Sequence, residues 1–443
     1  MNIDRMIIDI PAGAEQILRA LRDSGHEAYI VGGCVRDSLL GKTPADWDIT
    51  TAARPEQVKA VFHKTVDTGI KHGTVTVLMK DGKYEVTTFR TDGVYTDHRH
   101  PDEVSFSPDL SEDLKRRDFT VNAMAYSEES GVVDLFGGMA DMENRVIRAV
   151  GDPRSRFGED ALRMMRAVRF SAQLGYEIDG DTADAIKELA PTLSAVSYER
   201  IRDELEKLLV SDHPECVRDL SGLGLTAVFL PEFDSMMDTT QNNPHHKYTV
   251  GEHTIAALCA SERDRIIRLA VLLHDIAKPL MKTTDAEGID HFRGHPKKSA
   301  EMAGEILRRL KEDNRTIARV KNLITWHDLR PESDPVSVRK TAAKVGREDL
   351  PLLFDVMYAD VMGQSEYLQK EKLTRLSEVR TEWARIEAAG EPVEIRDLAV
   401  TGSDLIAAGV EPGPMVGEKL DRLLGRVLED PSLNTKEELL ERL

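Results

Sequence analysis

The feature that most constrains the fold of this chain is a change in the spacing of its apolar residues near Phe157. Before that point apolar side chains alternate over residues 74–79 and 84–89, with the hairpin dipeptide Asp81-Gly82 between them. Alternation indicates strands with one buried face, whereas a spacing of about 3.6 residues, which dominates after Phe157, indicates helices. The sequence therefore predicts an α+β protein, in which an N-terminal mixed-sheet head of roughly 150 residues precedes an all-α remainder.

Composition limits the class of protein further. The chain has 443 residues, of which 41% are hydrophobic and 31% charged, and this balance is typical of globular domains. It lacks an apolar run long enough to cross a membrane and a signal-peptide pattern, and its three cysteines (Cys34, Cys216 and Cys259) form no metal or disulfide motif. We therefore expect a cytoplasmic protein without a membrane partner.

The net charge of −19 argues against a surface that binds nucleic acid everywhere. A local basic track is still present, because seven arginines lie between Arg145 and Arg169. A nucleic-acid site is expected near this stretch.

A glycine pair, Gly32-Gly33, follows a predicted strand at residues 28–31 and precedes a predicted helix at residues 35–40. Such a turn leaves backbone amides and a helix N-terminus available to a triphosphate, with Arg36 one turn inside the helix. Taken alone, the glycine pair favours an ordinary tight turn.

Two carboxylates follow the glycine turn. Asp46 and Asp48 lie at the start of a predicted strand, assigned to residues 47–50, and side chains two residues apart in a strand share a face, so both can bind one hard cation. Divalent ions held in this way activate an attacking hydroxyl group and stabilise a leaving pyrophosphate. Glu85, on a later strand, is the candidate third carboxylate, and an exposed strand glutamate is the alternative.

Adjacent arginines form the next candidate site. Arg116 and Arg117 can bind phosphates with paired hydrogen bonds, and Asp118 is expected to hold one of them in place. The alternative is a solvated helix N-terminus capped by Asp118.

Residues 159–170 are predicted to form a single helix. On its wheel the polar residues Asp160, Arg163, Arg166 and Arg169 share one half, opposite the apolar side chains. An aspartate and an arginine one turn apart present acceptors and donors that can pair with a nucleobase edge. The alternative is a surface ion pair worth a few tenths of a kcal/mol.

These motifs occur in a known order. The segments at residues 32–48, 116–123, 134–138, 159–163 and 198–205 resemble the motif series of class II tRNA nucleotidyltransferases, the CCA-adding enzymes of the DNA polymerase β superfamily. The resemblance is close over about residues 25–210.

The resemblance implies roles for particular residues. Asp46 and Asp48 would bind Mg²⁺, and Gly33, Arg36 and Arg117 would contact the nucleoside triphosphate. Asp160 and Arg163 would read the base, with Arg166 and Arg169 nearby. The partners would be the tRNA acceptor end, CTP and ATP.

Two related enzyme classes differ from this pattern. Bacterial poly(A) polymerases carry an arginine-rich strand after the aspartate pair, whereas residues 68–75 resemble the tRNA enzymes. Enzymes that add only the two cytidines lack a flexible loop, which the polar residues 92–101 are expected to supply here. Full CCA addition is favoured, and addition of A alone stays open.

The helical half carries a second constellation. His253, His274, Asp275 and Asp360 resemble the His…His-Asp…Asp pattern of the HD phosphohydrolase superfamily. His295 and His327 resemble the extra positions found in members of that superfamily that bind two metals. Histidine and aspartate from different helices can hold Ni²⁺, Mn²⁺ or another transition metal that activates water toward phosphoesters. By resemblance, the substrates would be 2′,3′-cyclic or terminal phosphates of RNA ends. A vestigial domain that only binds tRNA is the alternative.

The predicted organisation has four regions. They are a nucleotidyltransferase head (1–148), a base-recognising helical neck (149–212), an HD-type body (213–370) and a helical tail that contacts tRNA (371–443). The rival interpretation is a metal-dependent phosphohydrolase whose head only binds RNA. The oligomeric state is left open.

Overall fold

The computed structural model describes residues 8–70, 73–92 and 104–443. Residues 71–72 of the segment at 68–75, and residues 93–101 of the expected loop, lie outside the described residues. The chain separates into two compact units, Met1–Leu208 with Asp219–Phe229 and Leu209–Arg218 with Leu230–Leu443. The predicted α+β class is confirmed, whereas the four-region division stays a prediction.

A mixed sheet forms the centre of the first unit. Within the described residues it has seven strands, numbered in chain order: β1 (Ala28–Val31), β2 (Asp48–Thr51), β3 (Thr65–Gly69), β4 (Thr74–Leu78), β5 (Lys83–Thr88), β8 (Met124–Ser127) and β9 (Gly131–Asp134). Their order across the sheet is β3-β4-β5-β2-β1-β8-β9. Only β2 and β5 pair in parallel among these described strands, and this pairing aligns two of the candidate carboxylates.

Short strand pairs accompany the sheet: β6 (Arg90–Asp92) with β7 (Val104–Phe106), and β10 (Val146–Ile147) with β11 (Glu177–Ile178). The helices up to Phe229 are α1 (Ala12–Asp23), α2 (Gly33–Leu39), α3 (Pro55–Val61), α4 (Leu110–Lys115), α5 (Gly138–Asn144), α6 (Pro153–Glu159), α7 (Leu162–Leu174), α8 (Gly180–Leu189), α9 (Tyr198–Leu209), α10 (Val217–Gly222) and α11 (Thr226–Phe229).

The head core lies between α1 and the sheet. Ile17 and Leu21 of α1 are fully buried in the same cluster as Ile30, Ile49 and Val75 from three strands. Each such side chain contributes about 1.5–3 kcal/mol through burial. This packing keeps β2, and therefore the end that carries Asp48, in a defined position.

Two predicted element boundaries differ from the structure. The strand expected at residues 47–50 begins and ends one residue later, at Asp48 and Thr51, so Asp46 lies two residues before it. The single helix expected at residues 159–170 is wrong, because α6 ends at Glu159 and α7 starts at Leu162. Asp160 causes the break, since it has extended backbone angles and its carboxylate accepts a hydrogen bond from the Leu162 amide.

The second unit is helical, apart from the strand pair β12 (Thr283–Thr284) and β13 (Asp290–His291). Its helices are α12 (Pro231–Asp238), α13 (Val250–Ala260), α14 (Arg265–Leu273), α15 (Lys278–Met281), α16 (His295–Arg309), α17 (Asn314–Trp326), α18 (Pro335–Val345), α19 (Leu350–Gly363), α20 (Gln369–Ala388), α21 (Gly402–Ala407), α22 (Pro414–Glu429) and α23 (Lys436–Glu441). Across the described ranges, the helices are too short or too polar to span a membrane.

Close packing of α13 on α19 sets the geometry at the centre of this unit. A Cβ atom on Gly363 of α19 would lie 2.8 Å from the backbone oxygen of His253 on α13. Glycine therefore permits the approach that brings His253 against the Asp360 side chain on α19.

Candidate active site and candidate metal centre

Three carboxylates line one cavity in the head. The parallel pairing of β2 with β5 places Asp48 directly opposite Glu85, and Asp46 lies just before β2. All three residues are exposed to a cavity of about 580 Å³, which Thr68 and Thr76 also line. The structure thus brings together the predicted catalytic carboxylates in an all-oxygen set that fits a hard divalent cation such as Mg²⁺.

The electrostatics of Asp48 favour a bound cation. Its pKa is raised mainly by desolvation from the surrounding protein, and the nearby Glu85 and Asp46 carboxylates raise it further, while Arg117 opposes them. Clustered carboxylates repel one another, and a divalent ion offsets this repulsion.

The glycine turn brings the predicted triphosphate-binding residues close together. Gly32 has φ +86°, a conformation that favours glycine, and a Cβ atom there would lie 2.9 Å from Nη1 of Arg117. Arg36 is buried one turn into α2, where it donates hydrogen bonds to Asn122 and Asp37. The glycine turn therefore has both predicted arginines beside it, Arg117 near Gly32 and Arg36 near Gly33.

A different aspartate from the predicted one holds the arginine pair. Asp113, fully buried in α4, accepts hydrogen bonds from Arg116 (2.6 and 3.0 Å), Arg117 (3.4 Å) and Thr50 of β2 (3.1 Å). The expectation that Asp118 holds one of these arginines is wrong. The sequence offered a signal for Asp113, because it lies four residues before Arg117, a separation at which side chains meet in helical backbone.

Asp118 instead accepts two hydrogen bonds from Arg166, at 2.6 and 2.8 Å. Burial acts to raise the pKa of Asp118, but the Arg166 guanidinium overcomes this and holds that pKa well below its usual range. Asp118 thereby connects the segment of the arginine pair to α7.

The polar stripe beside α7 is tied to acidic partners. Arg163 pairs with Glu159 at 2.6 Å, and Asp160 pairs with Arg200 of α9 at 2.8 Å rather than with Arg163. Both Asp160 and Arg163 keep part of their surface accessible. Sequence reasoning missed Arg200, whose partner lies forty residues earlier in the chain.

Arg169 occupies the least accessible position of the stripe. It is buried, pairs with Glu204 of α9 at 2.6 Å, and lies 3.6 Å from the centre of the Phe170 ring. Glu204 was not predicted as a site residue. The position of Arg169 suits a role in supporting α7 rather than in touching a ligand.

The second constellation converges in the helical unit. Nε2 of His253 lies 3.1 Å from Asp360 and 3.3 Å from Nε2 of His274, and His274 lies 3.2 Å from Asp275. These side chains come from α13, α19 and the turn after α14, and all four are buried. The structure therefore brings together every member of the predicted His…His-Asp…Asp set.

A second group of donors shares Asp275. Nε2 of His295 lies 3.2 Å from Asp275 and 3.3 Å from Nε2 of His327. The Nδ1 atoms of His274, His295 and His327 each face a backbone carbonyl at 2.6–2.9 Å, which directs their Nε2 atoms inward. Such outer hydrogen bonds are typical of metal-ligating histidines.

Within the described ranges, two sets of three donors have ligating atoms within 4.8 Å of one another: His253, His274 and Asp275, and Asp275, His295 and His327. Mixed imidazole and carboxylate ligands fit transition metals such as Mn²⁺ or Ni²⁺, and a shared carboxylate fits a pair of ions. The donor chemistry therefore fits the predicted metals.

A cavity of about 630 Å³ is lined by four of the candidate ligands: Asp275, His295, His327 and Asp360. Several cationic or polar side chains in its wall were not predicted from the sequence: His246, Lys278, Arg293, Arg330, Gln364 and Lys372. Positive charge next to a candidate metal centre favours an anionic ligand.

Three family models match separate parts of the chain. "Poly A polymerase head domain" matches residues 28–148, and "Probable RNA and SrmB-binding site of polymerase A" matches residues 175–237. "tRNA nucleotidyltransferase domain 2 putative" matches residues 291–443.

Curated relatives match between 45% and 96% of this chain. The CCA-adding enzyme of Levilactobacillus brevis is 36% identical over 96% of this chain and 96% of its own length. That of Leuconostoc mesenteroides is 39% identical over 81% of this chain and 94% of its own length. Over a shorter stretch, 45% of this chain, the enzyme of Leuconostoc citreum is 55% identical.

Solved structures of CCA-adding enzymes are also similar to this chain. The Bacillus stearothermophilus CCA-adding enzyme in complex with CTP has a TM-score of 0.71 and 32% identity, covering 97% of this chain and 96% of that chain. The Thermotoga maritima CCA-adding enzyme complexed with tRNA has a TM-score of 0.59 at 21% identity, and it shares the fold.

Proposed function

The chain belongs to the family of CCA-adding enzymes, and we infer from this premise that it adds CMP, CMP and AMP from CTP and ATP to the 3′ end of tRNA without a nucleic-acid template. The observation that carries the inference is the placement of Asp48 opposite Glu85, with Asp46 beside them, in one open cavity. We propose full CCA addition rather than addition of A alone, because relatives that align over nearly the whole chain are CCA-adding enzymes.

Asp46, Asp48 and Glu85 are the residues that would hold Mg²⁺ in the head. When bound, the ion supplies activation of the tRNA 3′-hydroxyl and charge stabilisation of the departing pyrophosphate. The chain itself aligns the reacting groups, because the β2–β5 pairing fixes the separation between two of the carboxylates.

The glycine turn would receive the triphosphate. Gly33 brings the backbone close to it, and Arg36 and Arg117 supply positive charge held by Asn122 and Asp113. Guanidinium groups fixed in advance spend little free energy on reorganisation when the pyrophosphate charge develops.

Base choice would come from Asp160 and Arg163, which remain partly accessible at the junction of α6 and α7. Arg166 and Arg169 hold this surface in place through Asp118 and Glu204. An acceptor next to a donor matches the pairing edges of cytosine and adenine, which carry the same order of groups.

Labelled CTP and ATP offered to tRNA that lacks its CCA end test this function. With Mg²⁺ present we expect incorporation by the natural protein and a loss of at least a hundredfold in Asp46→Ala. Asp67→Ala is the matched control, because Asp67 is an exposed head residue paired with Lys59 outside the carboxylate set. Incorporation that is absent, or that survives in Asp46→Ala, contradicts the proposal.

A second activity is favoured by one observation, the two donor sets that share Asp275. We propose that this centre, loaded with Mn²⁺ or Ni²⁺, hydrolyses 2′,3′-cyclic or terminal phosphates of RNA ends. His253, His274, Asp275 and Asp360 would hold one ion, and His295 and His327 would share Asp275 to hold another. Bound ions supply an activated water, and Lys278, 2.7 Å from Asp275, keeps that carboxylate charged.

His274→Ala separates this proposal from a vestigial, tRNA-binding body. We expect the natural protein to hydrolyse a 2′,3′-cyclic phosphate with Mn²⁺, and His274→Ala to lose that activity while CCA addition persists. His213→Ala is the matched control, because His213 is partly exposed and pairs with Glu215. Equal hydrolysis by His274→Ala, or none by the natural protein, contradicts the second activity.

A further inference from the structure

A small apolar pocket adjoins the cavity over the candidate metal centre. It has a volume of about 240 Å³ and lies between α19, α20 and the turn after α17. Apolar side chains form most of its wall: Leu329, Pro331, Met357, Val361, Leu368, Leu376 and Val379. Its volume is below the roughly 300–1,000 Å³ typical of sites for whole drug-sized ligands, so it suits one part of a ligand.

Two basic side chains lie in the walls of both the apolar pocket and the cavity over the candidate metal centre. Arg330 and Lys372 line the apolar pocket and also the metal cavity. Nη2 of Arg330 lies 3.8 Å from Asp360, and Nζ of Lys372 donates a hydrogen bond to Gln364, whose amide donates one to Asp360 at 3.0 Å. The pocket is therefore connected to the metal centre through one layer of side chains.

Helix α19 contributes to both spaces. Met357 and Val361 face the apolar pocket, while Asp360 and Gln364 face the metal cavity. Residues three and four apart are neighbours on a helix surface, so the two spaces lie side by side along α19. A ligand with its phosphate over the metal donors can place an attached ring in the pocket.

One pocket residue has a strained backbone. Leu368 has φ +54°, which costs a non-glycine residue of order 1 kcal/mol, and its side chain is 44% exposed at the pocket rim. Leu368 is the N-cap residue of α20, and its exposed side chain is available to contact a ligand in the pocket. Charged groups of both signs, Glu371 and Arg375, also line the pocket.

We propose that this apolar pocket binds the nucleobase of the phosphoester that the second centre hydrolyses, so that the centre selects nucleoside phosphates over phosphoesters that lack a ring. The inference rests on the proposed second activity. A flat ring with polar edges suits apolar walls with a charged rim, whereas an alkyl chain gains nothing from Glu371 and Arg375.

Calorimetric binding to the full-length protein with Mn²⁺ tests the proposal. The probes are adenosine 3′-monophosphate, inorganic phosphate and dodecyl phosphate. Leu368→Ala should weaken the binding of adenosine 3′-monophosphate about fivefold, equal to about 1 kcal/mol, and leave the binding of inorganic phosphate unchanged. Val379→Phe, which adds bulk to a lining residue of the pocket, should have a larger effect. Ile406→Ala, at an exposed residue elsewhere in the unit, should have none.

The outcomes distinguish the two proposals. If inorganic phosphate with Mn²⁺ binds the natural protein no better than it binds His274→Ala, the metal centre itself is refuted. If inorganic phosphate binds the natural protein better than it binds His274→Ala, but neither pocket variant weakens the binding of adenosine 3′-monophosphate, only the nucleobase pocket is refuted. Tighter binding of dodecyl phosphate than of adenosine 3′-monophosphate also overturns the pocket assignment, because it indicates an alkyl ligand.

Discussion

Replacing Asp113 with Asn tests how the arginine pair is held beside the glycine turn. Asp113 is fully buried and accepts hydrogen bonds from Arg116, Arg117 and Thr50. Burial acts to raise its pKa, but the two guanidinium groups bring that pKa below the usual value, so the carboxylate is charged at neutral pH. Asparagine keeps the shape and removes the charge.

The expected cost follows from the exposure of the partners. Removing one member of a buried ion pair costs about 3–5 kcal/mol. Both arginine side chains keep 19% of their surface exposed, so water replaces part of the lost interaction, and the amide still accepts from Thr50. We expect a loss of about 2 kcal/mol in the unfolding free energy of the head.

Arg117 also connects the substitution to nucleotide binding, because its Nη1 lies beside Gly32. A guanidinium no longer held by a charge samples more positions. The KM for CTP should therefore rise about tenfold, equal to about 1.4 kcal/mol.

Urea unfolding of the head can be followed by tryptophan fluorescence in a protein that also carries Trp326→Phe and Trp383→Phe. Trp47, in the head, is then the one tryptophan left of the three in the chain. CTP incorporation at varied concentration gives KM. Glu112→Gln, a partly exposed position on the same helix, is the matched control. The reasoning is refuted if Asp113→Asn changes stability by less than about 0.5 kcal/mol, the usual range for surface substitutions, or if Glu112→Gln raises KM equally.

Three further predictions follow from the same geometry. Gly32→Ala forces a side chain to φ +86° and toward Arg117, so CTP incorporation should fall at least tenfold in a filter-binding assay, and unchanged incorporation would show that the turn tolerates a Cβ atom. Burial acts to raise the pKa of Asp118, but Arg166 lowers that pKa more, so it is lower in the folded than in the unfolded protein. The Asp118–Arg166 pair therefore stabilises the fold above the unfolded-state pKa of about 3.9, and this stabilisation is lost as the pH falls through the folded-state value. Asp118→Asn should therefore lose stability near neutral pH and flatten the acid limb of a urea-unfolding profile, and an unaltered acid limb would argue against this pair. Asp275→Asn should abolish Mn²⁺ binding at the second centre, measured by electron paramagnetic resonance, while CCA addition persists. A parallel loss of CCA addition would show that the two activities are coupled.

Features that depend on residues near in the chain were predictable from the sequence. The change from alternating to helical spacing predicted the α+β division, and Gly32-Gly33, Asp46 and Asp48 were recognisable because turns and strand faces are set within a few residues. The wrong prediction of one helix over residues 159–170 has a local cause too. Asp160 bonds its own neighbouring backbone, a competition that periodicity does not register.

The sequence also predicted the members of the second centre, but by resemblance rather than by derivation. His253 and Asp360 are more than a hundred residues apart, and no spacing rule joins them. Only the packing of α13 on α19 at Gly363 explains why they meet, and the adjoining apolar pocket followed from the same packing.

The pairing of charged side chains, in contrast, depends on tertiary packing. The sequence assigned the arginine pair to its nearest acid, Asp118, yet Asp113 holds the pair and Asp118 holds Arg166; likewise Asp160 pairs with Arg200 and not with its helical neighbour. The strength of an ion pair depends on distance and desolvation, which are properties of the packed interior. The placement of Glu85 opposite Asp48 likewise rests on the parallel register of β2 and β5, which the hydrogen bonds of the whole sheet determine.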